Sequence, residues 1–496
     1  MFHCNLIDIN NMRTNKIIAF VAVTAGCLAL SAQTTFDAAK LYEEELNGTA
    51  RYVGMGGAMS ALGSDPSVIS HNPAGIGTYR KSDINTSLSF FGSSVSMDPA
   101  YTINNKGIAD DLYYYSSNSK SDLNMALDNL SFIFSGYDGD DTYMNLGFSY
   151  RRLQDMDRTL DYLDKFYVDY DGDGQLDDVR YREYLDHQRN KINSFDFNLS
   201  WSLSEILYMG CTFGILSTDT WSEGHFYDYL PAYNKVEQED KYLLNPSAEL
   251  VDSTSVDKMN TANGSGWNMG FGVIIRPIPA LRLGVSVKTP TIYKQKLDYA
   301  DELYALRGKP INEELTSSVD YKFSSPWSLD LSAGLTFGAG NVNCALGAEY
   351  EKFFTQRSSL SIGNTKIQTQ GAIDFKDYSS FKTGLELNIS NLSIRGGYNL
   401  IESMFNDNSG MYLDDTDFNV DRMDWQLDRL GKRQYFTAGL GYCSSPDRDG
   451  TQFYFDLAYV HGVRNSLFNT CEYIEDIDVN YNYKTDKVLF TVGWNF

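Results

Sequence analysis

Residues 327–337 read WSLDLSAGLTF, and large apolar side chains alternate there with small or polar ones. Successive side chains of a β-strand point to opposite faces, so the stretch predicts a strand with one apolar face. That face would carry Trp327, Leu329, Leu331, Ala333, Leu335 and Phe337, and the other Ser328, Asp330, Ser332, Gly334 and Thr336. Residues 195–203 repeat the pattern. About ten residues suffice for a tilted strand to cross a membrane, although a soluble sandwich would alternate in the same way.

The same pattern predicts about fourteen strands along the chain. They lie near 83–93, 129–137, 142–151, 192–203, 207–217, 266–275, 281–288, 327–337, 342–353, 380–389, 392–400, 433–443, 451–461 and 486–496. Short links alternate with long ones, which span 94–128, 152–191, 218–265, 289–326, 354–379, 401–432 and 462–485.

The alternation of short and long links distinguishes a membrane barrel from a soluble sandwich. Outer-membrane barrels have tight periplasmic turns and long outer loops, and a sandwich has no reason to sort its loops. We therefore predict an all-β protein, a transmembrane antiparallel β-barrel of about 14 strands in the bacterial outer membrane. The chain ends on Phe496 after an alternating strand. We expect this aromatic end to be recognised by the barrel-assembly machinery, and the barrel to be a monomer in contact with outer-membrane lipid.

Composition agrees with a barrel. The 496 residues include 35 Tyr and 28 Phe, and barrels place aromatic residues in girdles at both membrane interfaces. A mean hydropathy of −0.35 does not argue against membrane insertion, because only every second residue of a barrel strand meets lipid. The net charge of −24 excludes nucleic acid as a partner. Three acidic blocks, Glu43 to Glu45, Asp169 to Asp178 and Asp414 to Asp424, are interpreted as solvated segments.

The first 32 residues resemble a secretory leader. A basic start at residues 12–16 precedes an apolar run, Ile17 to Leu30, and Ser31-Ala32 offers small residues for cleavage. We expect residues 1–32 to be removed, with Met12 as an alternative start. The four remaining cysteines, Cys211, Cys344, Cys443 and Cys471, show no paired spacing and indicate neither a disulfide framework nor a metal site.

Residues 33–80 do not alternate. Residues 50–65 read ARYVGMGGAMSALGSD, and residues 68–78 read VISHNPAGIGT. Small residues allow close backbone approach, and Asn72-Pro73 indicates a turn. The glycines do not match a phosphate-binding loop, since no strand precedes them and no Gly-Lys-Ser/Thr follows.

This stretch resembles the hatch of the FadL/TodX family of outer-membrane transporters. The resemblance rests on Arg51 onward and on Asn72-Pro73-Ala74, with weaker likeness at residues 276–290, 436–442 and 456–459. It implies a hatch over residues 33–80 and a barrel over 81–496. The hatch residues would be Arg51, Gly54, Gly56, Gly57, Asn72, Pro73, Ala74 and Gly75.

The resemblance also implies passive uptake of long-chain fatty acids or aromatic hydrocarbons. In that family a groove among outer loops captures the ligand, a lumenal pocket receives it, the hatch shifts, and the ligand leaves sideways beside a kinked strand. We expect the outer-loop contacts to come from Tyr113, Tyr114, Phe226, Tyr227, Phe353 and Phe354, although such aromatics also form girdles. The chain departs from the family in its long second and third outer loops, which leaves the ligand class open.

Residues 169–177, DYDGDGQLD, match the first nine positions of an EF-hand-type calcium loop. The candidate ligands are Asp169, Asp171, Asp173, Gln175 and Asp177, but position twelve is Arg180 instead of Glu. A structural Ca²⁺ and a plain acidic turn both remain open, and no cofactor is required.

A barrel enzyme is disfavoured, because none of the histidines has a recognisable nucleophile nearby in sequence. A receptor for haem or another nutrient and a surface adhesin remain as alternatives, since haem and fatty acid both need an apolar pocket with a polar anchor.

Overall fold

The computed structural model describes residues 41–99, 115–116, 119–121, 123–139, 142–168, 178–230, 233–236, 241–244, 252–306, 313–355, 359–362, 365–367, 375–405, 427–469 and 478–496. The predicted leader and Cys471 lie outside these residues.

Fourteen long strands form one antiparallel sheet in the described part of the chain. They are β1 Asp83–Pro99, β2 Asn124–Gly139, β3 Thr142–Val168, β4 Asp178–Leu203, β5 Leu207–Leu230, β6 Asp252–Ile278, β7 Leu281–Lys288 continued by Ile292–Leu306, β8 Glu313–Ser324 continued by Trp327–Ala339, β9 Val342–Phe354, β10 Tyr378–Ile389, β11 Leu392–Ile401, β12 Arg433–Cys443, β13 Gln452–Asn469 and β14 Asp478–Asn495. Shorter strands are Tyr115–Ser116, Ser119–Lys120, Tyr233–Val236, Lys241–Leu244, Ser359–Ile362, Thr365–Ile367 and Leu427–Arg429.

The sheet closes on itself, because β14 pairs with β1 from Asp83↔Asn495 to Pro99↔Val479. The end of the chain completes the closure, since Phe496 and Ser82 exchange two backbone hydrogen bonds. Closure satisfies the backbone groups that an open edge would leave unpaired in lipid. The predicted fourteen-strand barrel is confirmed.

The two faces of each strand differ as the alternation predicted. In β8, Leu331 is 50% exposed, whereas its neighbours Asp330 and Ser332 are buried against the interior. The same holds in β4, where Phe195 and Phe197 face outward. Exposed apolar side chains on β1 to β14 form a continuous outer belt, as expected where lipid is the solvent.

No helix among the described residues is long and apolar enough to span a membrane.

The strands reach well beyond the predicted bounds on the side opposite the tight turns. Residues 152–168, 178–191, 218–230, 252–265 and 292–306 were assigned to loops and instead continue the ladders of β3 to β7. That assignment was wrong because the apolar alternation ends where the strands leave lipid, whereas backbone pairing continues in water with polar outward side chains.

Both β7 and β8 are interrupted at the same height. Pro290 follows Thr289 and Pro326 follows Ser325, and proline supplies no backbone donor to a ladder. Side chains fill part of the gap, because the backbone N–H of Thr291 donates to Ser325 Oγ at 2.8 Å. The inner and outer parts of these strands therefore remain joined.

Residues 41–82, hereafter the N-terminal segment, contain three short helical turns. They are an α-helix, Ala50–Gly54, and two 3₁₀-helices, Pro66–Ser70 and Pro73–Thr78. Each begins after a side chain that caps it: Thr49, Asp65 and Asn72 accept backbone N–H groups. The Asn-Pro-Ala sequence thus starts a helical turn instead of forming a plain loop.

Candidate functional site

The N-terminal segment is hydrogen-bonded to strands on several sides of the barrel. The Ala50 N–H donates to Thr491 Oγ1 of β14 at 2.7 Å, and Thr437 Oγ1 of β12 donates to the Gly54 carbonyl at 3.1 Å. On the other side, Asn145 Nδ2 of β3 donates to the Ile76 carbonyl at 2.7 Å. A segment bonded to strands around the ring lies within the lumen.

Inward-facing glycines make room for this segment. A Cβ atom on Gly384 or Gly397 would overlap the backbone at Met55 and Gly56, and one on Gly347 would overlap the Ala58 carbonyl. The same close approach occurs at Gly210, Gly272 and Gly334. Gly56 itself has φ +63°, a left-handed conformation that favours glycine. The glycines of wall and segment therefore fit each other.

Arg51 anchors the segment to the wall. Its guanidinium donates to both carboxylate oxygens of Glu386 on β10, at 2.9 and 3.0 Å. The same carboxylate accepts from Arg395 of β11 at 2.6 Å, and Arg395 also pairs with Asp456 of β13 at 2.5 Å. Two arginines and two acids form one network in which every charge has an opposite partner.

The block Glu43 to Glu45 is not solvated as the sequence suggested. Glu43 is buried and pairs with Arg464 and Arg433, which reach it from β13 and β12. Glu44 pairs with Lys288 of β7. Consecutive acids are tolerated here because basic side chains of the barrel wall meet them from different directions.

His71 contacts a buried charged cluster on the wall. Lys382 of β10 lies between Glu349 and Glu351 of β9, and its ammonium is 3.4 Å from His71 Nδ1. Burial, and after it the charge of Lys382, lowers the pKa of His71 well below its ordinary value, so the ring accepts as a neutral imidazole. His71, Glu349 and Glu351 are close enough to hold a metal ion, but the ammonium group of Lys382 already neutralises charge between the two glutamates.

Above the N-terminal segment, on the side away from the tight turns, the lumen is lined with apolar side chains. This lumenal apolar cluster consists of two residues from the start of the segment, Leu41 and Tyr42, together with Leu153, Ile192, Leu216, Ala262, Tyr293, Leu297, Val319, Tyr321, Phe323, Phe353, Phe375, Tyr378, Ile401, Met404, Phe405 and Leu430. Its rings stack closely: Tyr293 on Phe323 at 4.6 Å, and Phe353 on Tyr378 at 4.5 Å.

Two cavities lie on opposite sides of the segment. One of about 70 Å³ is lined by Tyr42, Phe353 and Tyr378 of the cluster together with His71 and Lys382. The other, about 230 Å³, lies toward the tight turns and is lined mainly by polar groups, among them Arg51, Glu386 and Tyr454. The N-terminal segment separates an outer vestibule, which borders the lumenal apolar cluster, from a vestibule at the tight turns, and charged side chains line both.

The ladder between β2 and β3 stops partway up the barrel. Pairing runs only as far as Asn129↔Arg151, although β3 continues to Val168 beside β4. A register shift of β3 against β4 occurs at the next residues, between Arg152 and Gln154, and turns Leu153 into the lumen. The Glu45 N–H donates to the Leu153 carbonyl at 2.8 Å, so the N-terminal segment touches this interruption.

The structure brings together some of the residues singled out from sequence. Arg51, Gly54, Gly56 and the Asn-Pro-Ala turn meet the wall. Gly57 and Gly75 instead pack against other residues of the segment, and Phe353 joins the lumenal apolar cluster. Phe226 and Tyr227 lie on β5 instead of in a loop. Tyr113, Tyr114 and the suggested calcium ligands of residues 169–177 lie outside the described residues, so those predictions stay open.

Most of the cluster was missed from the sequence. Tyr293, Tyr321, Phe323 and Tyr378 fall in stretches that read as loops or at a strand end. The sequence did contain a signal for these strands. Tyr293 and Leu297 are an even number of positions apart, as are Tyr321 and Phe323, so each pair lies on one face of its strand, the inward one.

Comparison with known proteins identifies the fold. No protein-family model matches the chain, and no curated protein sequence is similar to it. Among solved structures, a FadL homologue of Pseudomonas aeruginosa is similar at 12% identity and TM-score 0.61, over 92% of this chain and 99% of that one. The CymD monoaromatic hydrocarbon channel is similar at 12% identity and TM-score 0.50, over 90% and 97%. A TodX monoaromatic hydrocarbon channel lacking S2 and S3 is similar at 12% identity and TM-score 0.51, over 91% and 100%.

The closed barrel and its outer apolar belt define the class of protein, a multi-pass β-barrel of the bacterial outer membrane. Within that class the chain has the fold of the FadL-type channels, as its N-terminal sequence suggested.

Proposed function

We propose that the protein is a passive channel for hydrophobic small molecules, either aromatic hydrocarbons or long-chain fatty acids. The observation that carries the proposal is the lumenal apolar cluster, which lies inside a membrane barrel directly above the N-terminal segment. Each buried CH₂ of a ligand contributes about 0.8 kcal/mol along such a path, so an apolar molecule partitions into it from water. The similar structures described as hydrocarbon channels support the same ligand class.

In this proposal the N-terminal segment acts as a hatch. It separates the two vestibules, and its contacts to the wall are hydrogen bonds and ion pairs that a shift of the segment would exchange for water. The ligand leaves sideways where the ladder between β2 and β3 stops. Leu153 and the Glu45 contact at that interruption support a coupling between hatch position and lateral exit.

Uptake measurements test the ligand class. Cells of a host that lacks its own channels for these compounds are given labelled toluene, oleate or haemin, with and without the protein. We expect faster initial uptake of toluene or oleate. Stimulation of haemin uptake alone would favour a nutrient receptor, and no stimulation of any compound would favour surface display.

Phe353→Ala should weaken uptake through the cluster. The change removes a ring that lines the outer cavity, and the loss of one aromatic contact to a ligand costs about 1 kcal/mol, so the initial rate should fall about fivefold. Phe455→Ala is the matched control because Phe455 faces lipid. Equal rates for both variants would show that the ligand does not contact the cluster.

A further inference from the structure

The outer apolar belt ends at a common level on β7 and β8. Ile292 and Trp327 are its last exposed large apolar side chains on β7 and β8 among the described residues, and Trp267 lies at the same level on β6, where Met259 is a single exposed apolar side chain further out. The next outward residues on β6 are Ser265 and Asn263. Aromatic side chains favour the membrane interface, so this limit is the level at which hydrocarbon gives way to lipid headgroups.

Two lysines face each other just above this limit. Lys294 of β7 is directly opposite Lys322 of β8, and both side chains are exposed. Cβ atoms of directly opposite residues lie about 5 Å apart, and like charges in that position destabilise a sheet. Lys294 is two residues from Ile292, about 7 Å along the strand, so the pair lies at headgroup depth.

The nearest acid on the same face of β8 is Asp320, which is opposite Lys296 and not opposite either lysine of the pair. Neither Lys294 nor Lys322 forms an ion pair within the described part of the chain, whereas the next outward lysine, Lys296, pairs with Asp298 at 3.0 Å. A protein with 65 acidic and 41 basic residues has many acids to place opposite a lysine. Among the described residues the pair therefore has no salt-bridge partner of its own, on a protein that is acidic overall.

The neighbouring strand adds polar groups at the same level. Ser265 is opposite Lys294, and Asn263 is opposite Lys296. Two ammonium groups with an adjacent hydroxyl and amide match a phosphate, which accepts several charge-assisted hydrogen bonds at once. The apolar side chains below, Trp267 and Ile292, would meet acyl chains attached to that phosphate.

We infer that Lys294 and Lys322 form a binding site for the phosphate of an anionic glycolipid in the outer leaflet, of the lipid A type. Electrostatic attraction to anionic lipid is worth about 1 kcal/mol per lysine near the surface. Loss of both lysines should therefore weaken binding on the order of tenfold or more.

The test measures lipid binding to the purified full-length protein in detergent by native mass spectrometry. The probes are bis-phosphorylated lipid A, fully dephosphorylated lipid A and inorganic phosphate. We expect the phosphorylated lipid to bind, the dephosphorylated lipid to bind at least tenfold more weakly, and Lys294→Gln/Lys322→Gln to remove the difference. Both residues are exposed, so the variant should fold, which retained heat-modifiable gel migration checks.

Lys191→Gln/Lys484→Gln is the matched control. It also removes two outward lysines, but Lys191 has Asp155 and Asp219 opposite it and Lys484 has Ser94 and Val463, so neither belongs to a like-charge pair. The control should bind lipid A within twofold of the unaltered protein. Equal losses in both variants, equal binding of both lipids, or inorganic phosphate binding as tightly as lipid A would each overturn the inference.

Discussion

Glu386→Ala is expected to lower the free energy of unfolding by about 3–5 kcal/mol, because it removes the ion-pair partner of Arg51 and leaves Arg395 with Asp456 alone. Removal of one partner from a buried charge network costs far more than the net strength of the pair, since the remaining charges stay out of water. Urea unfolding in lipid vesicles measures the change.

Two comparisons separate this effect from a general loss of charge. Glu205→Ala removes an exposed carboxylate that pairs with Arg80 and Arg276 at the tight-turn end, and should cost less than about 1 kcal/mol. Adding Arg51→Ala to Glu386→Ala should recover part of the loss, because one unpaired charge is then gone. Equal effects of Glu386→Ala and Glu205→Ala would contradict the network.

Gly397→Ala is expected to displace the N-terminal segment and open the lumen to ions. The new methyl group would overlap the backbone of Met55 and Gly56, and overpacking of this kind costs about 1–3 kcal/mol unless the segment moves. Because the segment separates the two vestibules, its displacement should raise the conductance of single barrels in planar bilayers.

The adjacent glycine provides the control. Gly396 points away from the lumen, and the nearest atom to a Cβ placed there is 3.9 Å away. Gly396→Ala should therefore conduct as the unaltered protein does. A conductance for Gly397→Ala no higher than for Gly396→Ala would show that the segment does not limit passage through the lumen.

The sequence was sufficient to predict the membrane-crossing parts of the strands. In β4 and β8, apolar and polar side chains alternate because one face meets lipid and the other packs against the N-terminal segment. Each of these two environments favours a different type of residue. The last strand, β14, shows the same pattern up to Phe496.

Beyond the membrane this selection ends, and the prediction failed there. Both faces of the outer parts of β3 and β7 tolerate polar residues, so Tyr293 and Leu297 were not recognised as one inward face. The predicted strands also stopped at residue 288 and began at residue 327, next to Pro290 and Pro326, whereas a side-chain hydrogen bond joins the two strands beyond them. Pairing between distant strands determined the structure at these positions.

The site was only partly predictable for a related reason. Arg51 and Asn72-Pro73 carried a local signal, but the pairing of Glu43 with Arg464 joins residues more than 400 positions apart. A single sequence does not show which basic side chain neutralises a buried acid. The run Glu43 to Glu45 was therefore interpreted as a solvated segment.

The central claim is that one face of every strand meets lipid and the other meets the N-terminal segment. Nitroxide labels placed singly at positions 327–337 of β8 test it, by their collision rates with oxygen and with a water-soluble nickel chelate in lipid vesicles. The account predicts high oxygen and low nickel accessibility at Leu329, Leu331 and Ala333, and low oxygen accessibility at the residues between them. Accessibility without a period of two, or nickel reaching Leu331 freely, would contradict it.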